Sequence, residues 1–180
     1  MDKKMNQKNV IIGVADTTFS RVNMFPFVEK AIKDAMLQNY VNFNVTIERY
    51  TVPGVKDLPV ACKNLFENHN AKIVIALGMV GGEKIDTLCA HEASTSIQQA
   101  MLLTGKHILE VFVHIQEVKQ QGKINKKKLF MICRDRAYKH AWNAVALLKS
   151  KNELTPFAGH GRRQGSKHAG EIKIIKKRVH

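Results

Sequence analysis

The sequence predicts a three-layer α/β/α fold around a four-stranded parallel sheet, and three observations predict it. Short apolar runs rich in β-branched residues alternate four times with segments of helical periodicity. Each connection has room for one helix, and right-handed crossovers leave such a pattern few arrangements other than a parallel sheet covered on both faces. At 180 residues and 44% hydrophobic content, the chain can bury one good core but is short for two. A single domain over 1–180 is expected, with a polar tail at 1–9 and a basic tail at 171–180.

Residues 10–14, VIIGV, are continuously apolar and read as a buried strand, closed by the polar turn 15–21. Over 26–39, Val28, Ala31, Ile32, Ala35 and Met36 recur at spacings of three and four, and Pro26 suits a first helical turn. Residues 43–50 alternate Phe43, Val45 and Ile47 with polar side chains, the pattern of a second strand. A Val52-Pro53-Gly54 turn follows, and Asp57 can cap a helix over 58–68. The third unit is the run IVIAL at 73–77, a glycine-rich loop at 78–82 and a helix from about 86 to 103. The fourth is a strand at 107–113, a basic loop and a long helix over about 129–149. That helix carries Leu129, Ile132, Cys133, Ala137, Ala141, Val145 and Leu148 on one stripe. Residues 154–165, with Pro156 and several glycines, receive no element.

The formal net charge of +14 would draw nucleic acid, anionic membranes or acidic metabolites by its field alone. Its distribution argues for a solvated surface instead. Lys3, Lys4 and Lys8 precede the first strand, Lys123 and Lys126, Lys127 and Lys128 share one loop, and the final stretch carries Arg162, Arg163, Lys167, Lys173, Lys176, Lys177 and Arg178. Few aromatics lie among these clusters, so base stacking has little support and no nucleic-acid partner is expected. Residues 1–9 lack an apolar core, and no run approaches the roughly 18 apolar residues of a membrane span, so a cytoplasmic protein without membrane attachment is expected. Cys62, Cys89 and Cys133 are odd in number, far apart and without CxxC or Cys/His spacing. They read as small core residues, and no metal site is expected.

In a parallel sheet of this kind, ligands bind beyond the carboxyl ends of the strands, which directs attention to the loops there. The first, Asp16 to Arg21 (DTTFSR), sets Phe19 among Thr18, Ser20 and Arg21, suited to stacking a flat heterocycle and bonding its polar edge. A core phenylalanine beside a helix cap explains the same residues. The second holds Pro53, Gly54, Val55, Lys56 and Asp57, a backbone stiff enough to present its polar groups reproducibly, or an ordinary capped turn. The third, Gly78-Met79-Val80-Gly81-Gly82-Glu83-Lys84, matches neither GxxxxGK[ST] nor GxGxxG. His91 lies on the following helix without the second histidine of HExxH, and His114 lies just past the fourth strand, where a general acid or base could reach a ligand.

Five segments together resemble successive blocks of the archaeal-type riboflavin synthase family: GVADTTFSRVNM at 13–24, TVPGVKDLPVACKNLFE at 51–67, ALGMVGGEKIDTLCAHEAS at 76–94, GKHILEVFVH at 105–114 and AGHGRRQG at 158–165. The resemblance runs in order over nearly the whole chain between its tails. It implies a lumazine-synthase-like fold of flavodoxin-like topology, a homopentameric ring with sites between neighbouring subunits, and a dismutation. Two 6,7-dimethyl-8-ribityllumazine molecules exchange a four-carbon unit, giving riboflavin and 5-amino-6-ribitylaminouracil. No cofactor is required, and stimulation by Mg2+ is left open. Lumazine synthases of the wider family carry a longer GxTxH element in the third loop, whereas Lys84 stands near that histidine here, which favours the riboflavin-forming branch.

On this resemblance Phe19 stacks a lumazine, Thr18, Ser20 and Arg21 contact its polar rim, and Pro53, Gly54, Val55, Lys56 and Met79 shape the pocket. Asp57, Glu83, Lys84, His91 and His114 are candidates for proton transfer, and Glu110, His114 and Arg136 for action across an interface. The rival readings are a lumazine synthase condensing 5-amino-6-ribitylaminouracil with a four-carbon sugar phosphate, and a non-catalytic flavin or nucleic-acid binder.

Overall fold

The structure, a computed structural model, describes residues 8–172. Most of both expected tails, including Lys3, Lys4, Lys173, Lys176, Lys177 and Arg178, therefore lies outside the described residues. Four strands, β1 (Asn9–Thr17), β2 (Asn44–Val52), β3 (Ile73–Val80) and β4 (Ile108–His114), form one parallel sheet in the order β2-β1-β3-β4. The sheet is crossed by helices α1 (Phe25–Leu37), α2 (Leu58–Glu67), α3 (Lys84–Thr104) and α4 (Lys126–Lys149).

Burial on both faces explains the uninterrupted apolar runs, because alternate side chains of one strand enter different cores. Ile12, Val14, Ile75, Leu77, Met79, Val111 and Val113 meet α1 and α4, while Val74, Ala76, Val80, Ile108 and Phe112 meet α2 and α3. On α1, Val28, Ala31, Ile32 and Ala35 are buried at helical spacing. Gly105, at φ 62°, ends α3 in the left-handed conformation that an L side chain resists. No helix among the described residues is long and apolar enough to cross a membrane.

Several details depart from the sequence reading. The strand β1 continues through Ala15, Asp16 and Thr17, expected in a turn, and residues 154–165 hold a short 3-10 helix (Thr155–Phe157). The strand β3 runs on through Gly78 and Met79, expected in a loop, because Met79 is buried and Gly78 lies against the Phe112 ring, 2.7 Å from where a methyl would stand. The Asp57 side chain does not cap α2; its Oδ2 accepts the Gly54 N–H at 3.1 Å and closes the preceding turn. The basic loop contains a turn of 3-10 helix (Ile115–Val118) and a small hairpin, β5 (Lys119–Gln120) with β6 (Lys123–Ile124). The fourth helix starts earlier, since the Asn125 side chain accepts the Lys128 N–H at 2.9 Å and caps it.

His140, on α4, has a buried Nδ1 with no hydrogen-bond partner, and burial followed by the nearby Arg136 charge lowers its pKa from 6.5 to about 4. The unfolded chain therefore binds a proton at higher pH than the folded one. The stabilisation is complete above pH 6.5 and drains away as pH falls toward 4. Chemical denaturation between these values should show a stability loss that His140→Gln abolishes; an identical pH slope in the variant would contradict this assignment.

Candidate active site

The loops after β1 and β2 are stitched to each other. Thr18 N–H donates to the Val52 carbonyl at 2.9 Å, Phe19 N–H to Pro53 at 3.3 Å, and Thr18 Oγ1 to Pro53 at 3.2 Å. These bonds extend the β1–β2 pairing beyond its last register pair, Thr17 with Val52. Phe19 is left 55% exposed on a pinned backbone, and its ring is a flat apolar surface that the described residues leave partly uncovered.

The second loop is closed by the Asp57 carboxylate on Gly54 and by the Asp57 N–H donating to the Gly54 carbonyl at 3.1 Å. The third folds back on itself. The Asp86 carboxylate accepts the Glu83 N–H at 2.9 Å and lies so close to Gly81 that a methyl there would overlap it. A side chain at Gly81 would displace the Asp86 carboxylate, so the constraint there comes from the neighbour and not from the φ angle.

Between these loops lies a cleft of about 380 Å³, lined by Phe19, Pro53, Gly54, Val55, Lys56, Asp57, Met79, Val80, Gly81, Asp86 and Cys89. A second chamber of about 330 Å³ adjoins it and is walled by Arg21, Gly82, Glu83, Ile115, Lys119 and Ile124. Both chambers share Phe19, Met79, Gly81 and Asp86, so the phenylalanine ring borders each. A larger hollow, about 570 Å³, lies elsewhere, in an open basic groove between α4 and Gly165. It shares no lining residue with either chamber and takes none from the loops after β1, β2 and β3, which makes it the weaker candidate despite its size.

Of the residues singled out in the sequence, Phe19, Pro53, Gly54, Val55, Lys56, Asp57 and Met79 meet in the first chamber, and Arg21 and Glu83 in the second. Thr18 and Ser20 line a smaller cavity of about 240 Å³ on the other side of the loop. Lys84, His91, His114, Glu110 and Arg136 line neither chamber. Lys84 and His91 are exposed on α3. Glu110, on β4, accepts the Ser94 hydroxyl at 2.9 Å, and burial raises its pKa.

Arg136 is engaged within its own subunit. Its Nη1 donates to the Phe112 carbonyl (2.7 Å) and Glu117 Oε1 (2.9 Å), and its Nη2 to Glu117 Oε2 (2.7 Å). Burial works against the Glu117 charge, yet Arg136 and the His114 N–H outweigh it and hold the carboxyl below its usual range. Gln116 Nε2 in turn donates to the Gly82 carbonyl at 2.9 Å. Arg136 therefore fixes the loop after β4, which walls the second chamber, and its guanidinium is spent on that task.

The cysteines divide. Cys62 and Cys133 are core residues whose thiols burial pushes up to about 12 and about 11, so neither supplies a thiolate near neutral pH. Cys89 departs from the expected core role, being only partly buried and lining the first chamber. Sequence reasoning also missed Asp86 and Lys119. The spacing of Asp86 three residues after Glu83 was the available signal for one, and nothing in the sequence marked the other. Among the described residues no group of three His, Cys, Asp or Glu side chains is arranged to hold a metal ion.

The sequence profile of 6,7-dimethyl-8-ribityllumazine synthase matches residues 9–152. The riboflavin synthase of Methanothermobacter thermautotrophicus is 43% identical over 161 residues, covering 89% of this chain and 98% of that protein. The riboflavin synthase of Archaeoglobus fulgidus is 39% identical, covering 89% and 97%. The 6,7-dimethyl-8-ribityllumazine synthase of Staphylothermus marinus is 28% identical over 99 residues, 54% of this chain and 63% of that protein.

Proposed function

The chain belongs to the 6,7-dimethyl-8-ribityllumazine synthase family, and from that membership we propose that it is a riboflavin synthase, an enzyme converting two 6,7-dimethyl-8-ribityllumazine molecules into riboflavin and 5-amino-6-ribitylaminouracil. The four-carbon unit lost by one molecule is gained by the other, so the reaction balances without an oxidant or a reductant. The observation that carries this reading is the exposed Phe19 ring bordering two adjacent chambers of about 380 and 330 Å³, each within the usual range for a small-molecule site. Similarity to riboflavin synthases runs along nearly their whole length, whereas the match to a lumazine synthase is partial.

With an activated substrate, the protein's task is to hold two rings in register and to move protons. Orientation of that kind is worth up to roughly 7–11 kcal/mol in well-aligned cases, and a placed acid or base adds about 10²–10⁴-fold. Phe19 stacks a lumazine, the backbone of Gly54 to Asp57 meets its polar edge, and the carboxylates that line the chambers are Asp57 in the first, Glu83 in the second and Asp86 in both. Lys84 and His91 on the rim, and Glu110 and His114 of a neighbour, would enter the site only in an oligomer. A pentameric ring follows the family pattern, in which a neighbouring subunit completes each cleft. The three free thiols suit the cytoplasm, a reducing compartment.

Asp57→Ala is expected to cost about 1 kcal/mol of stability or less, since its bond to Gly54 is exposed, and to raise KM more than it slows turnover. A turnover rate reduced about a hundredfold or more at unchanged KM would instead make Asp57 the proton-transfer group. The function itself is tested by offering one preparation two substrate sets. Riboflavin should form from ribityllumazine alone, and no lumazine from 5-amino-6-ribitylaminouracil with a four-carbon sugar phosphate; the reverse pattern would identify a lumazine synthase.

A further inference from the structure

Arg49, on the edge strand β2, touches both ends of the loop that carries Phe19. At the near end its guanidinium donates from Nε (3.1 Å) and Nη2 (2.6 Å) to Asp16 Oδ2, while Asp16 Oδ1 accepts the Thr51 hydroxyl at 2.6 Å. At the far end the same guanidinium lies 4.2 Å from the centre of the Phe25 ring, where α1 begins. Residues 17–24, with Phe19 among them, span the gap between these two anchors.

The pair is costly to keep for stability alone. Asp16 is 7% exposed and, with Thr17, makes up the buried polar residues among those described. The Asp16 side chain is 10% exposed and that of Arg49 38%, so the bridge carries the desolvation cost of the carboxylate against an attraction that water partly screens. It does fix geometry, since a forked guanidinium on a carboxylate tolerates little displacement. Phe19 needs such a device. With its ring half exposed, packing cannot hold it, and the register of β1 with β2 places Asp16 directly before the loop.

We propose that Arg49 and Asp16 are positioning residues for the reaction, holding the Phe19 loop at both ends so that its ring stands between the two chambers. The proposal rests on the reading of that cleft as the ribityllumazine site. Neither residue lines either chamber; both border the smaller cavity behind the loop, so they act through Phe19 and not on the substrate.

The test compares wild type with Arg49→Met, Arg49→Lys, Asp16→Asn and the Asp16→Asn/Arg49→Met double variant, using steady-state riboflavin formation from 6,7-dimethyl-8-ribityllumazine together with thermal melts. Arg49→Met should raise KM about tenfold or more, the factor carried by one lost charge-assisted hydrogen bond. Its turnover at saturating substrate should change less. Lysine keeps the charge but loses the fork and the stack, so Arg49→Lys should recover only part of the KM. The double variant should be no worse than the poorer single one, as for residues acting as a unit. Should Arg49→Met fail to fold, Asp16→Asn, which keeps the shape of the side chain, carries the same KM prediction. A lower melting temperature at wild-type KM, or effects that multiply independently, would overturn the proposal while leaving the cleft assignment standing. Wild type that forms no riboflavin would remove the cleft assignment and this proposal with it.

Discussion

Phe19→Ala is expected to raise the KM for 6,7-dimethyl-8-ribityllumazine roughly 5- to 150-fold, the factor that corresponds to about 1–3 kcal/mol of stacking on an aromatic face. The fold should not notice. With Phe19 55% exposed and the loop held through backbone bonds of Thr18 and Phe19, stability should change by no more than about 0.5 kcal/mol. Because the ring borders both chambers, the loss should fall on both substrate molecules, and the dependence of rate on substrate concentration should steepen. Phe19→Tyr, which keeps a flat ring, should restore most of the affinity. Kinetics like those of wild type in Phe19→Ala would remove this residue from the site.

Arg136→Met is expected to act by a different route and to cost about 2–3 kcal/mol of stability, between the values for exposed and fully buried pairs. The change strands the Glu117 carboxylate and the Phe112 carbonyl, both of which Arg136 satisfies. Its side chain is only 15% exposed and that of Glu117 34%, so water replaces the lost partner incompletely. The chemistry should weaken as well, because the loop that carries Ile115 and Lys119 walls the second chamber. The pair also has a pH signature. Since the folded carboxyl titrates below its usual range, its stabilisation is present above that range and lost as pH falls through the lowered value; in Arg136→Met this acid limb should shrink. A raised KM at unchanged stability would mean that Arg136 contacts substrate, as the family resemblance first implied.

The fold was legible because the sheet is covered on both faces. That arrangement writes strands as runs such as VIIGV and IVIAL, and helices as stripes such as Val28, Ala31, Ile32 and Ala35. The end of β3 was not legible, since a glycine reads as a loop until the Phe112 ring that demands it is known. In the site, the loops themselves could be found from proline, glycine and one exposed aromatic, and these residues do meet in one cleft. Orientation could not. Lys84, His91 and His114 drew attention by residue type and position, and none of them lines either chamber of the single subunit. The Asp16, Arg49 and Thr51 network joins residues 33 and 35 positions apart through strand register, and Arg136 reaches Glu117 across 19. Such pairs carry no local signal in a single sequence.

Every role assigned to the cleft depends on one reaction, so the most direct measurement incubates the purified protein with 6,7-dimethyl-8-ribityllumazine as sole substrate and quantifies both products by chromatography. Riboflavin and 5-amino-6-ribitylaminouracil should appear in equal amounts, one of each for two lumazines consumed. Folded protein that consumes no lumazine, or riboflavin formed without its partner product, would contradict the assignment.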